Sequence, residues 1–406
     1  MTEPLPRRRA AIAFVMVTVL LDMLAMAIIL PVLPRLVLGF SGGDTAAASG
    51  ALGVFGTAWN LMQFAFSPAI GALSDRFGRR PVILLSNFGL GLDYVLMALA
   101  PGLTLLFVGR VISGITAATF SSAGAYIADI TPPEQRAARF GLLNVAFGVG
   151  FVLGPAVGGL LGGFDPRLPF WVAAAMSLLN GVYGLFVLPE SLPRERRTPF
   201  AWRRANPVGA LQLLRRHRVL TGLASVNFLF FLAHQSLQSV FVLYTAYRYG
   251  WSIGTTGLAL AAVGALSAVV GGFVVRPAVT RLGERRALLL GLAFGVAGFA
   301  AFGLAPGGAG FAAGLPVLAL MGLTGPSVQA IMTHLVPPTE QGRLQGANSC
   351  VMSLAGLVGP GVFTAVFAAA VHAGALPGAP YFLAAVVMLL AIGVAAVVTR
   401  RVAVAA

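Results

Sequence analysis

The chain has 406 residues, of which 58% are hydrophobic and only 10% charged, with a formal net charge of +15 at pH 7. A mean hydropathy of +0.90 excludes a soluble globule, which needs far more polar surface than this to cover itself. All 27 basic residues are arginine and gather in alternate connections between apolar segments, so the charge reports membrane topology and attraction to anionic lipid, not a nucleic-acid partner.

A helix crosses roughly 30 Å of hydrocarbon with about 20 apolar residues, and twelve such spans can be read, six per half. The first, residues 11–35, follows Arg7, Arg8 and Arg9 and contains Asp22; its length and the spans after it mark an uncleaved first helix rather than a secretory signal. The turn after it holds Gly39-Phe40-Ser41-Gly42-Gly43, which matches a nucleophile-elbow string. No strand pattern precedes it and no histidine comes before His217, so a flexible turn explains it better than an intramembrane serine hydrolase.

Between the second span, 48–73, and the third, 81–100, stands Gly71-Ala72-Leu73-Ser74-Asp75-Arg76-Phe77-Gly78-Arg79-Arg80. Gly71 is expected to let a neighbouring helix backbone approach, and Asp75 to cap the next helix or to pair with an arginine of the other half. The third span carries Asp93 and the fourth, 103–127, carries Arg110. A charge in hydrocarbon is costly unless it meets an opposite charge or water, so each is a functional residue by default. Counting about 1.5 Å per residue along the spans puts Asp22, Asp93 and Arg110 at one level, roughly 17 to 20 Å above the inner surface. In the fifth span, 138–162, Gly150, Gly154 and Gly158 make one flat face for close helix contact, and Pro155, beside Gly159, removes a backbone bond and bends the helix. The sixth span is 168–188.

The long arginine-rich connection defines a linker, 190–217, between an N-terminal half, 1–189, and a C-terminal half, 218–406. Near 207–217 it is either a basic amphipathic stretch lying on the inner leaflet or a solvated charged loop. The remaining spans are 218–246, 253–279, 286–305, 310–335, 342–372 and 378–399. The second half repeats the first at a shared offset of 205 residues (276 − 71): the charged turn recurs at Arg276 through Arg285, Pro132-Pro133 maps onto Pro337-Pro338, Gly141 onto Gly346 and Gly154-Pro155 onto Gly359-Pro360. Repeats of this kind build a central site between two halves that rock against each other.

The repeat is not chemically even. The offset sends Asp22 to Asn227, Asp93 to Gly298, Arg110 to Leu315 and Asp75 to Thr280. Proton-binding groups are therefore expected in the first half. The second half offers neutral polar groups for substrate: Asn227, His234, Gln235 and Gln238 in the seventh span and Gln329 in the tenth. His234 and Gln238 share a helix face with Asn227, and Phe147, Phe151, Phe230 and Phe231 can supply aromatic walls. Cys350 is the only cysteine and can form no internal disulfide. No metal-ligand, phosphate-loop or dinucleotide pattern occurs in a credible context, so neither metal nor cofactor is expected. With both termini cytoplasmic, only Arg35, Arg167 and Arg248 fall outside, which fits a multi-pass protein of the cell inner membrane.

Over nearly its whole length the chain resembles the major facilitator superfamily. The resemblance rests on Gly71 through Arg80, on Leu106 and Arg110-Val111-Ile112-Ser113-Gly114 in the fourth span, and on Gly150, Gly154, Pro155, Gly158 and Gly159 in the fifth. It implies an all-α membrane protein of twelve transmembrane helices in two pseudo-symmetric six-helix bundles. It also implies that Gly71, Asp75, Arg76, Gly78, Arg79 and Arg80 latch one conformational state, and that the fifth-span motif marks proton-driven export. Within the superfamily the chain is most similar to bacterial tetracycline/proton antiporters and their multidrug relatives, through Leu21-Asp22, Ser86 to Asp93-Tyr94, Gly124 to Asp129, Leu282-Gly283-Glu284-Arg285 and Gln341 to Gly346. Those antiporters carry a histidine in the eighth span and an aspartate in the ninth, where this chain has Ser267 and Gly295. The implied function is proton-coupled export of small amphipathic drugs by a monomer in contact with membrane lipid. A sugar or metabolite transporter stands as the alternative.

Overall fold

Long runs of alanine, leucine, valine and glycine with few polar interruptions favour helix where no water competes for the backbone, and only helices and closed barrels satisfy their own backbone groups in lipid. The computed structural model describes residues 5–116, 126, 127, 129–131, 133–197, 214, 218–337, 340–374 and 376–403. These form α1 (Leu5–Ile29), α2 (Leu33–Phe40), α3 (Thr45–Phe77), α4 (Arg79–Ala98), α5 (Leu103–Thr116), α6 (Pro133–Phe164), α7 (Leu168–Val187), α8 (Arg218–Tyr249), α9 (Ile253–Val269), α10 (Val275–Leu282), α11 (Glu284–Leu304), α12 (Gly308–Ala319), α13 (Thr324–His334), α14 (Gln341–His372) and α15 (Ala379–Ala403). No strand occurs among the described residues.

Nine described segments are long and apolar enough to cross a membrane. The other three predicted spans coincide with α3, with α5 and with the apolar part of α6, Gly148–Phe164. A π-helical turn at Val270–Val274 joins α9 to α10, and a 3-10 turn at Leu320–Leu323 joins α12 to α13. The predicted amphipathic stretch at 207–217 lies outside the described residues apart from Leu214.

The chain divides into two compact units. The first comprises Met1–Leu36, Leu61–Asn206 and Ile253–Ala261. In it α1 packs chiefly on α6 and α7, and α4 on α7 and α5. Glycines set these approaches. A Cβ at Gly150 would lie 2.8 Å from Met23 Cβ and 2.9 Å from the Leu24 amide nitrogen, and those at Gly154 and Gly158 would run into Ala27 and Ile28. The face read from the sequence is therefore the α1 contact. Beyond Pro155 the same helix meets α9, where Gly159 would place a Cβ 3.0 Å from Gly257 Cα.

The second unit comprises Val37–Asn60, Pro207–Ser252 and Ala262–Ala406. Here α8 packs on α14 and α15, and α11 on α12 and α15. The beginning of α3 lies against α14 around Pro360: Ser49 Oγ donates to Thr364 O at 2.9 Å, Thr57 Oγ1 to Leu357 O at 3.3 Å, and a Gly56 Cβ would sit 2.9 Å from Pro360 Cβ. Tyr244, Phe302, Phe311 and Tyr381 form an aromatic core, with Phe302 and Phe311 centroids 4.0 Å apart and Tyr244 edge-on to Tyr381 at 4.9 Å. The edge-to-face geometry of Tyr244 and Tyr381 is a favoured one for aromatic quadrupoles.

Candidate functional site

Asp22 on α1 and Asp93 on α4 are 5% and 1% exposed, although no membrane is needed to bury them. Asp93 Oδ1 lies 2.9 Å from where a Cβ at Gly109 would stand, so the missing side chain there lets α5 bring Arg110 up to the carboxylate. Asp93 lies within electrostatic reach of Arg110 and beside the buried Ser113. Buried Tyr94 feels Asp22, Asp93 and Arg110 together. The three charges predicted at one level are thus brought into one neighbourhood, and the structure adds Tyr94 to them.

Beside these charges α1 and α7 are joined by Thr18 Oγ1, which donates to Asn180 Oδ1 at 3.2 Å. Asn180 Nδ2, both polar atoms of Asn87 and Ser177 Oγ are buried with no hydrogen-bond partner among the described residues. Polar side chains so placed in apolar helices are expensive. They give the interior of this unit buried groups able to exchange hydrogen bonds.

In the charged turn, Arg79 is the hub. It pairs with Asp75 at 2.6 Å and through Nε with Asp129 Oδ2 at 3.0 Å, and its Nη1 donates to Ser74 Oγ at 3.2 Å. Arg80 donates to Leu185 O at 2.7 Å, and Arg76 lies over the Phe77 ring at 5.1 Å. Gly78 has φ 109°, a conformation that favours glycine, and a Cβ there would displace the Glu190 carboxylate. Two expectations are corrected. The first amide of α4, that of Arg79, is met by Glu190 Oε1 at 2.8 Å and not by Asp75, which is committed to an arginine of its own half. Gly71 has no described atom within 4 Å of a would-be Cβ, so no described helix backbone approaches it. Glu190 and Asp129 were outside the predicted site. Both lie far along the chain from Arg79, and spacing alone cannot pair residues across such separations.

The second-half candidates are only partly gathered. On α8, Phe230 stacks on His234 at 6.3 Å and meets Phe231 edge-on at 5.3 Å. His234 Nδ1 is buried without a hydrogen-bond partner among the described residues. Asn227 is buried and Gln238 exposed. Gln235 packs on Gly359 of α14, its Cβ 2.5 Å from the would-be glycine Cβ. Gln329 does not join them: its Oε1 accepts from Asn348 Nδ2 at 2.6 Å and its backbone carbonyl from Thr333 Oγ1 at 2.7 Å, a network internal to α13 and α14. Phe151 is partly buried, and the side chain of Phe147 lies outside the described residues. Ser267 donates to Val263 O at 2.8 Å on its own helix. The space a side chain at Gly295 would need is filled by Met388 Cε and by Met321, whose Cγ and Sδ are each 3.2 Å away. Ser41, from the hydrolase-like string, donates to Val37 O at 2.9 Å, and Gly42 and Gly43 have φ 64° and 85°. A capped helix end followed by a glycine turn accounts for that string.

A family model described as Major Facilitator Superfamily matches residues 15–360. The chain belongs to the Major Facilitator Superfamily. Among superfamily relatives, it is 40% identical to the class C tetracycline resistance protein of Escherichia coli over 359 residues, 88% of this chain and 90% of that protein. It is 36% identical to the class G tetracycline resistance protein of Vibrio anguillarum over 387 residues, 95% of this chain and 96% of that one. Solved structures share the superfamily fold. The nucleoside transporter NupG superposes with a TM-score of 0.79 at 13% identity, covering 96% of this chain and 99% of its own. The human organic anion transporter MFSD10 gives 0.70 at 24% identity, covering 97% and 100%.

Proposed function

We propose that this superfamily member is a proton-coupled exporter of small amphipathic drugs, tetracycline-like or multidrug, working by alternating access. The observation that carries the reading is the burial of Asp22, Asp93 and Tyr94 in one neighbourhood with the half-buried Arg110, directly beside the glycine contact of α1 with α6. Relatives at 30–40% identity over most of the chain are tetracycline resistance proteins, which supports a drug as the cargo. No step of such a cycle calls for enzyme chemistry.

In this reading Asp22 and Asp93 hold the proton. When an acid is deprotonated, Arg110 balances its charge, and when it is protonated, Arg110 is released toward the polar groups nearby. Two conformations that differ in how well they hold the proton are then biased by it, which is how a gradient drives exchange. Twelve spans in halves 1–189 and 218–406, an inner-membrane location with cytoplasmic termini, and a monomer in contact with lipid complete the proposal.

Neutral polar and aromatic groups on α8, with methionine where an acid at 295 would reach, select by shape and amphipathicity more than by a fixed ion pair. Drug susceptibility in an efflux-deleted host tests this. Expression is expected to protect against several unrelated lipophilic drugs, tetracycline included at most as one of them. Protection against tetracycline alone contradicts the broad range, and protection against none contradicts export.

A further inference from the structure

The repeat offset that aligns the charged turns also carries Arg79 onto Glu284 and Asp129 onto His334. Both aligned pairs are in contact. Arg79 Nε is 3.0 Å from Asp129 Oδ2, and His334 Nε2 is 3.1 Å from Glu284 Oε1. Each contact starts at the first residue of a helix that follows a left-handed glycine, Gly78 at φ 109° or Gly283 at φ 77°. The two ties are therefore one device built twice, with the polarity of the charges exchanged.

The exchange changes the physics. Guanidinium and carboxylate both stay charged across physiological pH, whereas imidazole is the side chain whose charge changes there. We propose that Glu284 and His334 are a positioning pair that joins the first residue of α11 to the last residue of α13 when the imidazole is protonated and lets them part when it is not. The other ionisable groups brought to this end by elements packed on α13 are Arg285 and Arg286 on α11, Glu340 at the cap of α14, and Arg218 at the first residue of α8. Arg285 is committed to Thr399 Oγ1 at 3.1 Å, and Gln341 holds the Thr333 and Val336 carbonyls at 3.0 and 2.9 Å. Glu284 Oε1, 3.1 Å from His334 Nε2, is the carboxylate oxygen of the pair.

The inference rests on the exporter reading in one respect: exchange delivers protons to the arginine-rich face, where this pair lies, so acid accumulating there closes the tie and slows further turnover. The Glu284 and His334 side chains are 30% and 73% exposed, so the expected effect is modest, about two- to fivefold.

The test pairs a distance with a rate. Spin labels at Arg281→Cys and Pro337→Cys, in a Cys350→Ser background, report the separation of the two helix ends. The account expects a shorter, narrower distance at about pH 5.5 than at about pH 8, on either side of the pH at which an imidazole ordinarily changes charge. Glu284→Gln and His334→Ala abolish the difference, and Glu284→Arg combined with His334→Asp keeps the short distance at both pH values. Substrate counterflow with equal pH on both sides should run about two- to fivefold faster in His334→Ala than in the parent at the lower pH and equally at the higher. A distance independent of pH in the parent, or a pH response that survives in His334→Ala, overturns the tie. A distance that responds while counterflow is the same in both proteins overturns the positioning role. Absence of any counterflow in the parent overturns the exporter reading instead, and the distances still decide the tie.

Discussion

Arg110 lies beside Asp93 because position 109 is glycine. Removing it leaves the buried Asp93 carboxylate without the cation within its electrostatic reach, which is destabilising. Arg110→Lys keeps the charge and loses the planar fork. Export by membrane vesicles is expected to fall in the order parent, Lys variant, Ala variant, and equal rates for the Ala variant and the parent would remove Arg110 from the mechanism. The charged residues of this group were legible in the sequence, since an ionisable residue in an apolar run is conspicuous and helix rise fixes its depth. Tyr94 was not, because a tyrosine in an apolar helix is as often packing as function. Nor was the filling at Gly295, where the decisive atoms belong to Met321 and Met388, contributed by two other helices.

At the scale of helices, the charged turn and the glycine motif make separable predictions. Arg79 is shared between Asp75, 47% exposed, and Asp129, 25% exposed. The exposed Asp75 pair is worth at most about 1 kcal/mol, so Asp75→Asn should shift the resting conformational population no more than about fivefold. Asp129→Asn, which removes the charge that holds Arg79 to the distant chain segment, should shift it further. Cysteine accessibility at the two membrane faces, in a Cys350→Ser background, checks the order, and a larger effect from Asp75 contradicts it. In α6, a methyl group at Gly158 runs into the Ile28 backbone. Gly158→Ala should cost about 1–3 kcal/mol by overpacking, read as a lowered unfolding temperature in detergent. Gly163, with no described atom within 4 Å of its Cβ position, should accept alanine without that loss. The spacing of Gly150, Gly154 and Gly158 announced a close contact but could not say with which helix. The partner is α1, two residues from Asp22 at Leu24, so the motif positions the acid-bearing helix.

For the whole molecule, the helical membrane fold was written in composition and run length, and the duplication in a single offset. The grouping of chain segments into units was not. Val37–Asn60 belongs with the second unit and Ile253–Ala261 with the first, because contacts at Pro360 and at Gly159 depend on where glycines meet prolines and glycines on distant helices. The central claim is that drug leaves against protons that pass through the first-half acids. It is met most directly by recording proton movement on drug addition to vesicles that hold an imposed pH gradient, for the parent and for Asp22→Asn. The mapped position in the other half is Asn227, so the variant should remain folded. The account predicts drug-triggered proton movement in the parent and none in Asp22→Asn; undiminished movement in the variant would contradict it.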